Sequence, residues 1–266
     1  LNPEAAVEAL ETAYRLDPSN SRLRGRIGRA LVATHEYRRA VDFYESAIKD
    51  VTRGLLGDSK DGSSPSKNAS SHHLSAELIF LSHDLAKLFI KLGRIQHSQR
   101  VLQRILLERE KCQDITDLKQ NVTTLLLLSE IQCSDQALSS ATASEEERLA
   151  NLRAGVESLR QAYDHQKEVC AMFRGTGKGA HHNSFGMERE RQMLSEICEK
   201  IASLLEELEP SEYYQSVDTP DGGRIGKINR HVEEMYDEAL VHNAHNTLAM
   251  LGLARVNKKV DRKSTR

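Results

Sequence analysis

Residues 21–50 read SRLRGRIGRALVATHEYRRAVDFYESAIKD. Leu23, Ile27, Ala30 and Leu31 recur at helical spacing, and Ala40, Phe43, Tyr44, Ala47 and Ile48 do the same. Thr34-His35-Glu36 interrupts the two stripes. The stretch therefore predicts two amphipathic helices folded into a hairpin. Gly28, Ala40 and Ala47 lie on the apolar faces, and their lack of bulk lets two helix backbones approach closely.

The pattern resembles the tetratricopeptide repeat. Ile27-Gly28 stands where that motif has Leu-Gly, and Tyr37 where it has an aromatic after the turn. Ala40, Tyr44 and Ala47 take the small, aromatic and small positions of the second helix. That motif recurs about every 34 residues. One period upstream, Ala40 maps to Ala6, Ala47 to Ala13 and Tyr44 to Leu10, and Pro18 falls where the motif ends its second helix. Leu1 to Leu16 thus reads as a second helix without its first, and Asp17-Pro18-Ser19-Asn20 as stop and restart.

Downstream the pattern continues in weaker form. A Ser/Gly-rich stretch at 55–74 is expected to be a disordered insertion. Leu81, Leu85, Leu88, Phe89 and Leu92 then make a stripe, Gly93 a turn, and Ile95, Val101, Leu102, Ile105 and Leu106 a second stripe. Leu85-Ala86 takes the Leu-Gly place. A third pair has Val122, Leu125, Leu126, Leu128 and Ile131 in its first helix. Its second is a long helix opened by a capping box at Ser144–Glu147 and expected to project past its neighbours. Leu194, Ile197, Ile201, Leu204 and Leu208 begin a fourth pair. Val232, Met235, Tyr236, Ala239 and Leu240 complete it, with Tyr236 and Ala239 as its structural repeat positions. A last half repeat carries Leu248, Leu251, Leu253 and Ala254.

The expected fold is all-α, a tetratricopeptide-type solenoid of about four stacked antiparallel pairs with half repeats at both ends. Residues 1–54 form the half repeat and first repeat, and 75–257 the degenerate repeats. Loop insertions fall near 134–144, 174–186 and 210–226, and a basic tail spans 258–266. The chain starts at Leu1, inside a helical pattern, and its end helices would leave apolar faces uncapped. It is expected to be an excerpt of a longer polypeptide.

Composition narrows the function. Hydrophobic residues are 39% and charged residues 29%, enough apolar material to fold. The 37 basic and 39 acidic residues nearly cancel, unlike a nucleic-acid binder. No apolar run approaches the roughly 18 residues that span a bilayer, and no signal peptide is expected. Cys112, Cys133, Cys170 and Cys198 lack metal or redox spacing and read as reduced, buried thiols of a cytosolic protein. Asn68 and Asn121 match the glycosylation sequon, which matters only after secretion.

No catalytic set emerges. Gly175-Thr176-Gly177-Lys178-Gly179 lacks the spacing of a phosphate loop, and His231-Val232-Glu233-Glu234 lacks the second histidine of a zinc protease helix. His72-His73 and His181-His182 have no further ligand at metal spacing. Glu206-Glu207 and Glu233-Glu234 are helix neighbours pointing about 100° apart. Neither cofactor nor metal is expected. Arg24 and Arg29 are candidate contacts in a groove lined by first helices, for an acidic partner or for solvent alone. Gly25 and Arg29 replace the Lys and Asn with which chaperone-binding repeats clamp a peptide.

Finally, GRALVATHEYRRAVDFYESAIK (28–49), HDLAKLFIKLGRIQHSQRVLQRIL (83–106), SEICEKIASLLEE (195–207) and MYDEALVHN (235–243) resemble, in order, segments of the tetratricopeptide repeat protein 21 family. That family supplies the large repeat subunit of intraflagellar transport complex A. The resemblance implies a non-enzymatic scaffold for retrograde transport, located in the cytoplasm, in the cilium or flagellum and at its base. Its partners would be the other subunits of the complex, with propeller and tetratricopeptide domains, and neither nucleic acid nor inserted membrane. A cytosolic adaptor or cochaperone that holds peptides in its groove is the alternative.

Overall fold

The computed structural model describes residues 3–18, 20–57, 67–108, 115–134, 144–175, 184–208, 217–218, 224–225 and 227–264. Ten helices are present among them: α1 Pro3–Leu16, α2 Ser21–Ala33, α3 Tyr37–Gly57, α4 Lys67–Lys91, α5 Ile95–Glu108, α6 Ile115–Gln132, α7 Glu145–Gly175, α8 Ser184–Glu207, α9 Lys227–His242 and α10 Thr247–Ser264. The only strands among the described residues are β1 (Val217–Asp218) and β2 (Arg224–Ile225), an antiparallel pair within the third expected insertion. The fold is all-α, of the solenoid class. Two compact units divide the chain, Leu1–Glu110 and Lys111–Arg266.

In the first unit α1 to α5 pack in chain order, and α2 also touches α4. Ile27, Leu31, Ala40, Tyr44, Ala47 and Val51 join Leu78, Leu81, Leu85, Leu88 and Phe89 in one core. The two hairpins turn alike. The Glu36 amide donates to the Leu31 carbonyl and the His35 amide to Val32. The Arg94 amide donates to Phe89 and the Gly93 amide to Ile90. This is the Schellman closure, which needs a left-handed residue after the helix. His35 (φ 62°) and Gly93 (φ 70°) supply it. A Cβ at Gly93 would meet nothing within 4 Å, so only backbone strain opposes one. Gly93→Ala is expected to destabilise the unit by about 1 kcal/mol in urea melts.

In the second unit α6 to α10 pack in chain order, with α8 also touching α10. The capping box forms: the Ser144 amide donates to Glu147 at 3.0 Å, and the Glu147 amide to Ser144 Oγ at 3.2 Å. Three expectations change here. The far end of α7 does not project. Val169 and Cys170 are buried, and Phe173 lies under the Lys119 ammonium, so the starts of α6 and α8 cover it. Helix α10 turns a different face inward. Leu248 and Leu251 are about three-fifths exposed, while Ala249, Gly252 and Val256 are buried. Close approach to α9 selects the small side chains. The helix also runs on to Ser264, through most of the expected basic tail.

Helical ends intrude on the 55–74 insertion, since α3 reaches Gly57 and α4 starts at Lys67. Ser and Asn near a helix start do not stop it once the following apolar turns are packed. The Gly-rich segment 176–179, His181-His182 and Cys112 lie outside the described residues. His72-His73 falls in the first turns of α4.

Candidate functional site

Each unit sends a tyrosine from a middle helix between two flanking helices. In the first, the middle helix is α3 and the flanks are α2 and α4. The Tyr44 ring lies on Gly28, where a Cβ would come within 3.0 Å of two ring carbons and the hydroxyl oxygen. Its hydroxyl reaches Asp84 on α4 at 3.4 Å, and Arg29 Nε stands 3.9 Å from the same carboxylate. In the second, the middle helix is α9. The Tyr236 ring lies on Gly252 of α10 with the same crowding. Its hydroxyl donates to Glu206 on α8 at 2.6 Å, and Arg255 reaches Glu206 at 3.4 Å. Glycine, tyrosine, carboxylate and arginine thus recur, with glycine on the earlier flank in one unit and the later flank in the other.

Burial and the facing carboxylate push both phenols well above the ordinary tyrosine range, so they stay protonated and donate. Burial also raises the Asp84 carboxyl, against the pull of Arg29 and Lys87. Next to it, burial and then Lys87 push His83 down to about 4. The sign is set by linkage. The unfolded chain takes a proton on this histidine near its ordinary 6.5, the folded chain only near 4. Stability from neutral His83 is present above the first value and lost as pH falls toward the second. Raised Asp84 acts oppositely. Acid titration of His83→Gln should show a weaker loss between these values than the parent.

Helices α2 and α4 frame an open recess of about 550 Å³. Arg22, Gly25, Arg26 and Arg29 line it from α2, and Ala76, Glu77 and Phe80 from α4. Arg24 does not face it freely. Its guanidinium grips Glu77 through Nε at 2.6 Å and Nη2 at 3.1 Å, with the side chains 11% and 5% exposed. Arg29 does face outward, with its guanidinium 4.9 Å from the Phe80 ring centre. Phe80, Arg22 and Arg26 were not singled out by the sequence. The i, i+4, i+7 spacing of the three arginines was the available signal.

The repeat positions fall as follows. Gly28, Ala40, Tyr44, Ala47, Tyr236 and Ala239 are buried. Tyr37 is half-buried under the Lys91 ammonium, with its hydroxyl 2.6 Å from His35 Nδ1. Gly93 and Pro18 sit exposed in turns, Ala13 is half-buried and Ala6 is exposed. Helix α1 packs on α2 through Val7, with Leu10 and Tyr14 against the same core, and Ala6 itself stays exposed. Gly252 belongs with these positions and was missed. Leu251-Gly252 repeats the Leu-Gly signature, but the larger leucines beside it set the apolar stripe.

Reactive chemistry finds little footing. Burial pushes the Cys133 thiol up to about 11 and Cys198 up to about 12, so both are inert near neutrality. Among the described residues no three His, Cys, Asp or Glu could hold a metal ion, and no helix is long and apolar enough to cross a membrane. Asn121 of the second sequon is buried, its Oδ1 without a hydrogen-bond partner among the described residues.

Helix hairpins stacked through small residues, with polar flanking faces left open, define a helical-repeat scaffold. Residues 70–218 match the family model described as "Tetratricopeptide repeat protein 21 forth ARM domain". The chain belongs to the tetratricopeptide repeat protein 21 family. It is 30% identical over 169 residues to tetratricopeptide repeat protein 21A of Homo sapiens, covering 64% of this chain and 10% of that protein. Against tetratricopeptide repeat protein 21B of Homo sapiens it is 25% identical over 256 residues, 96% of this chain and 15% of that protein. It therefore spans a small part of these relatives. A solved structure, "Assembly Chaperone of RpL4 (Acl4) (Residues 1-338)", shares the fold with a TM-score of 0.50 at 12% identity, covering 92% of this chain and 71% of that one.

Proposed function

We propose that this chain is part of a non-catalytic scaffold subunit of intraflagellar transport complex A, serving retrograde transport in cilia or flagella. Membership of the tetratricopeptide repeat protein 21 family carries the reading. The helical-repeat build supports it, because stacked hairpins offer extended walls to neighbouring proteins. The partners are the other subunits of that complex, some with propeller and some with tetratricopeptide domains. The place of action is the cytoplasm, the cilium and its base. Neither nucleic acid nor an inserted membrane is involved, and the chemistry is contact rather than catalysis.

The recess between α2 and α4 favours a second reading, a cytosolic adaptor or cochaperone holding peptides. Gly25 and Arg29 at the clamp positions weigh against the chaperone form. Tagging the full-length protein in ciliated cells and purifying it under mild conditions separates the two. Recovery of complex A subunits at matching stoichiometry, lost when residues 1–266 are deleted, is expected. Recovery of chaperones with no transport subunit would reject the first reading.

A further inference from the structure

Two of the three arginines on one face of α2 have no evident role in folding; the third, Arg29, stands beside Asp84. Arg22, Arg26 and Arg29 are spaced i, i+4, i+7 and all are exposed. Like charges at that spacing repel and weaken a helix. Among the described residues no carboxylate pairs with Arg22 or Arg26. Glu77, the acid in the recess they line, is already taken by Arg24. The wall is left positive.

The recess also holds an aromatic ring in place. Phe80 is 42% exposed. One side of it rests on Gly25, where a Cβ would stand 2.6 Å from Phe80 Cε1. The Arg29 guanidinium covers another part. The ring is thus packed in a set position yet open to a ligand, which lowers the ordering cost of binding.

We propose that this recess docks an acidic segment of a partner protein, with Asp or Glu side chains on Arg22 and Arg26 and an apolar side chain on Phe80. Charge complementarity selects that occupant. A basic or neutral segment would leave the arginines unpaired, and the volume of about 550 Å³ suits a few side chains of an extended chain. The inference rests on the scaffold reading, but it can fail alone.

The test uses the 266-residue chain and short fluorescent peptides of alternating Glu and Leu, with Gln and Lys counterparts, read by anisotropy. The Glu peptide should bind at least roughly tenfold tighter than the Gln peptide, and the Lys peptide not at all. Arg22→Ala with Arg26→Ala should weaken the Glu peptide roughly tenfold, and added salt should do likewise. Phe80→Ala should weaken it severalfold without abolishing the preference for Glu. Circular dichroism should show the arginine variant folded, since both side chains are exposed. Equal binding of Glu and Gln peptides, no binding of the Glu peptide, or the same affinity in the arginine variant overturns the proposal. So does arginine-dependent binding to phosphatidylserine vesicles that the Glu peptide does not displace. Retention of complex A subunits by the arginine variant would leave the scaffold reading standing in any of those cases.

Discussion

Gly252→Leu is expected to lower the stability of the second unit by about 3 kcal/mol or more, with Gly28→Leu doing the same in the first. A Cβ at either position would come within 3.0 Å of two ring carbons and the hydroxyl oxygen of a tyrosine. The ring tip is the end of a side chain, and in an open site it could swing aside. Here Tyr44 and Tyr236 are 1% and 0% exposed, and their hydroxyls are engaged by Asp84 and Glu206. Moving the ring opens a cavity and breaks that bond, and moving the helix separates α9 from α10. Alanine should be milder, roughly 1–2 kcal/mol, because a helical glycine replaced by alanine recovers part of the loss. Thermal melts should drop by around 10 °C for leucine. The decisive control is Gly252→Ala combined with Tyr236→Leu. If the ring is the obstacle, the double variant costs less than the sum of the singles. Additive losses, or unchanged melting, would remove the contact from the account.

That contact marks how far the sequence could be read. The hairpin at 21–50 was legible because every signal in it is local: two stripes, a break, and glycine and alanines facing inward. The same kind of contact in the second unit went unseen, although Tyr236 and Ala239 were placed. The recognisable glycine follows its tyrosine there instead of preceding it, and Leu248 and Leu251 outshine Ala249 and Gly252 in any count of apolar bulk. Size decides which face can approach a neighbour, and hydrophobicity does not report size. The long α7 reads as an overhang because length is visible in one strand of sequence and cover is not. Its cover includes Lys119, with its ammonium on the Phe173 ring and 2.6 Å from Glu190 on α8. Arg24 reads as a groove contact for the same reason. Its partner is 53 residues away in a helix whose register the sequence does not give.

Arg24 and Glu77 carry the second large effect. Glu77→Leu alone is expected to cost about 3 kcal/mol, since it leaves a guanidinium uncompensated in a site where its side chain is 11% exposed. Burial by itself would lower the Arg24 pKa, and the hydrogen bond and charge of Glu77 more than offset it, so the pair is kept ionised by its own contact. Arg24→Met should cost a similar amount by stranding the carboxylate. The two together should fall within about 1 kcal/mol of the parent, because an apolar pair of like volume needs no desolvation. The exposed Arg39–Glu11 pair is a built-in contrast, with side chains 54% and 34% exposed and a contact of 2.8 Å. Arg39→Ala should cost far less than Glu77→Leu, and its loss should fade at high salt. Urea melts of the four variants at low and high salt separate the cases. If Glu77→Leu proves as mild and as salt-sensitive as Arg39→Ala, then water reaches the pair, and α2 and α4 are not held together at this point by a buried charge contact.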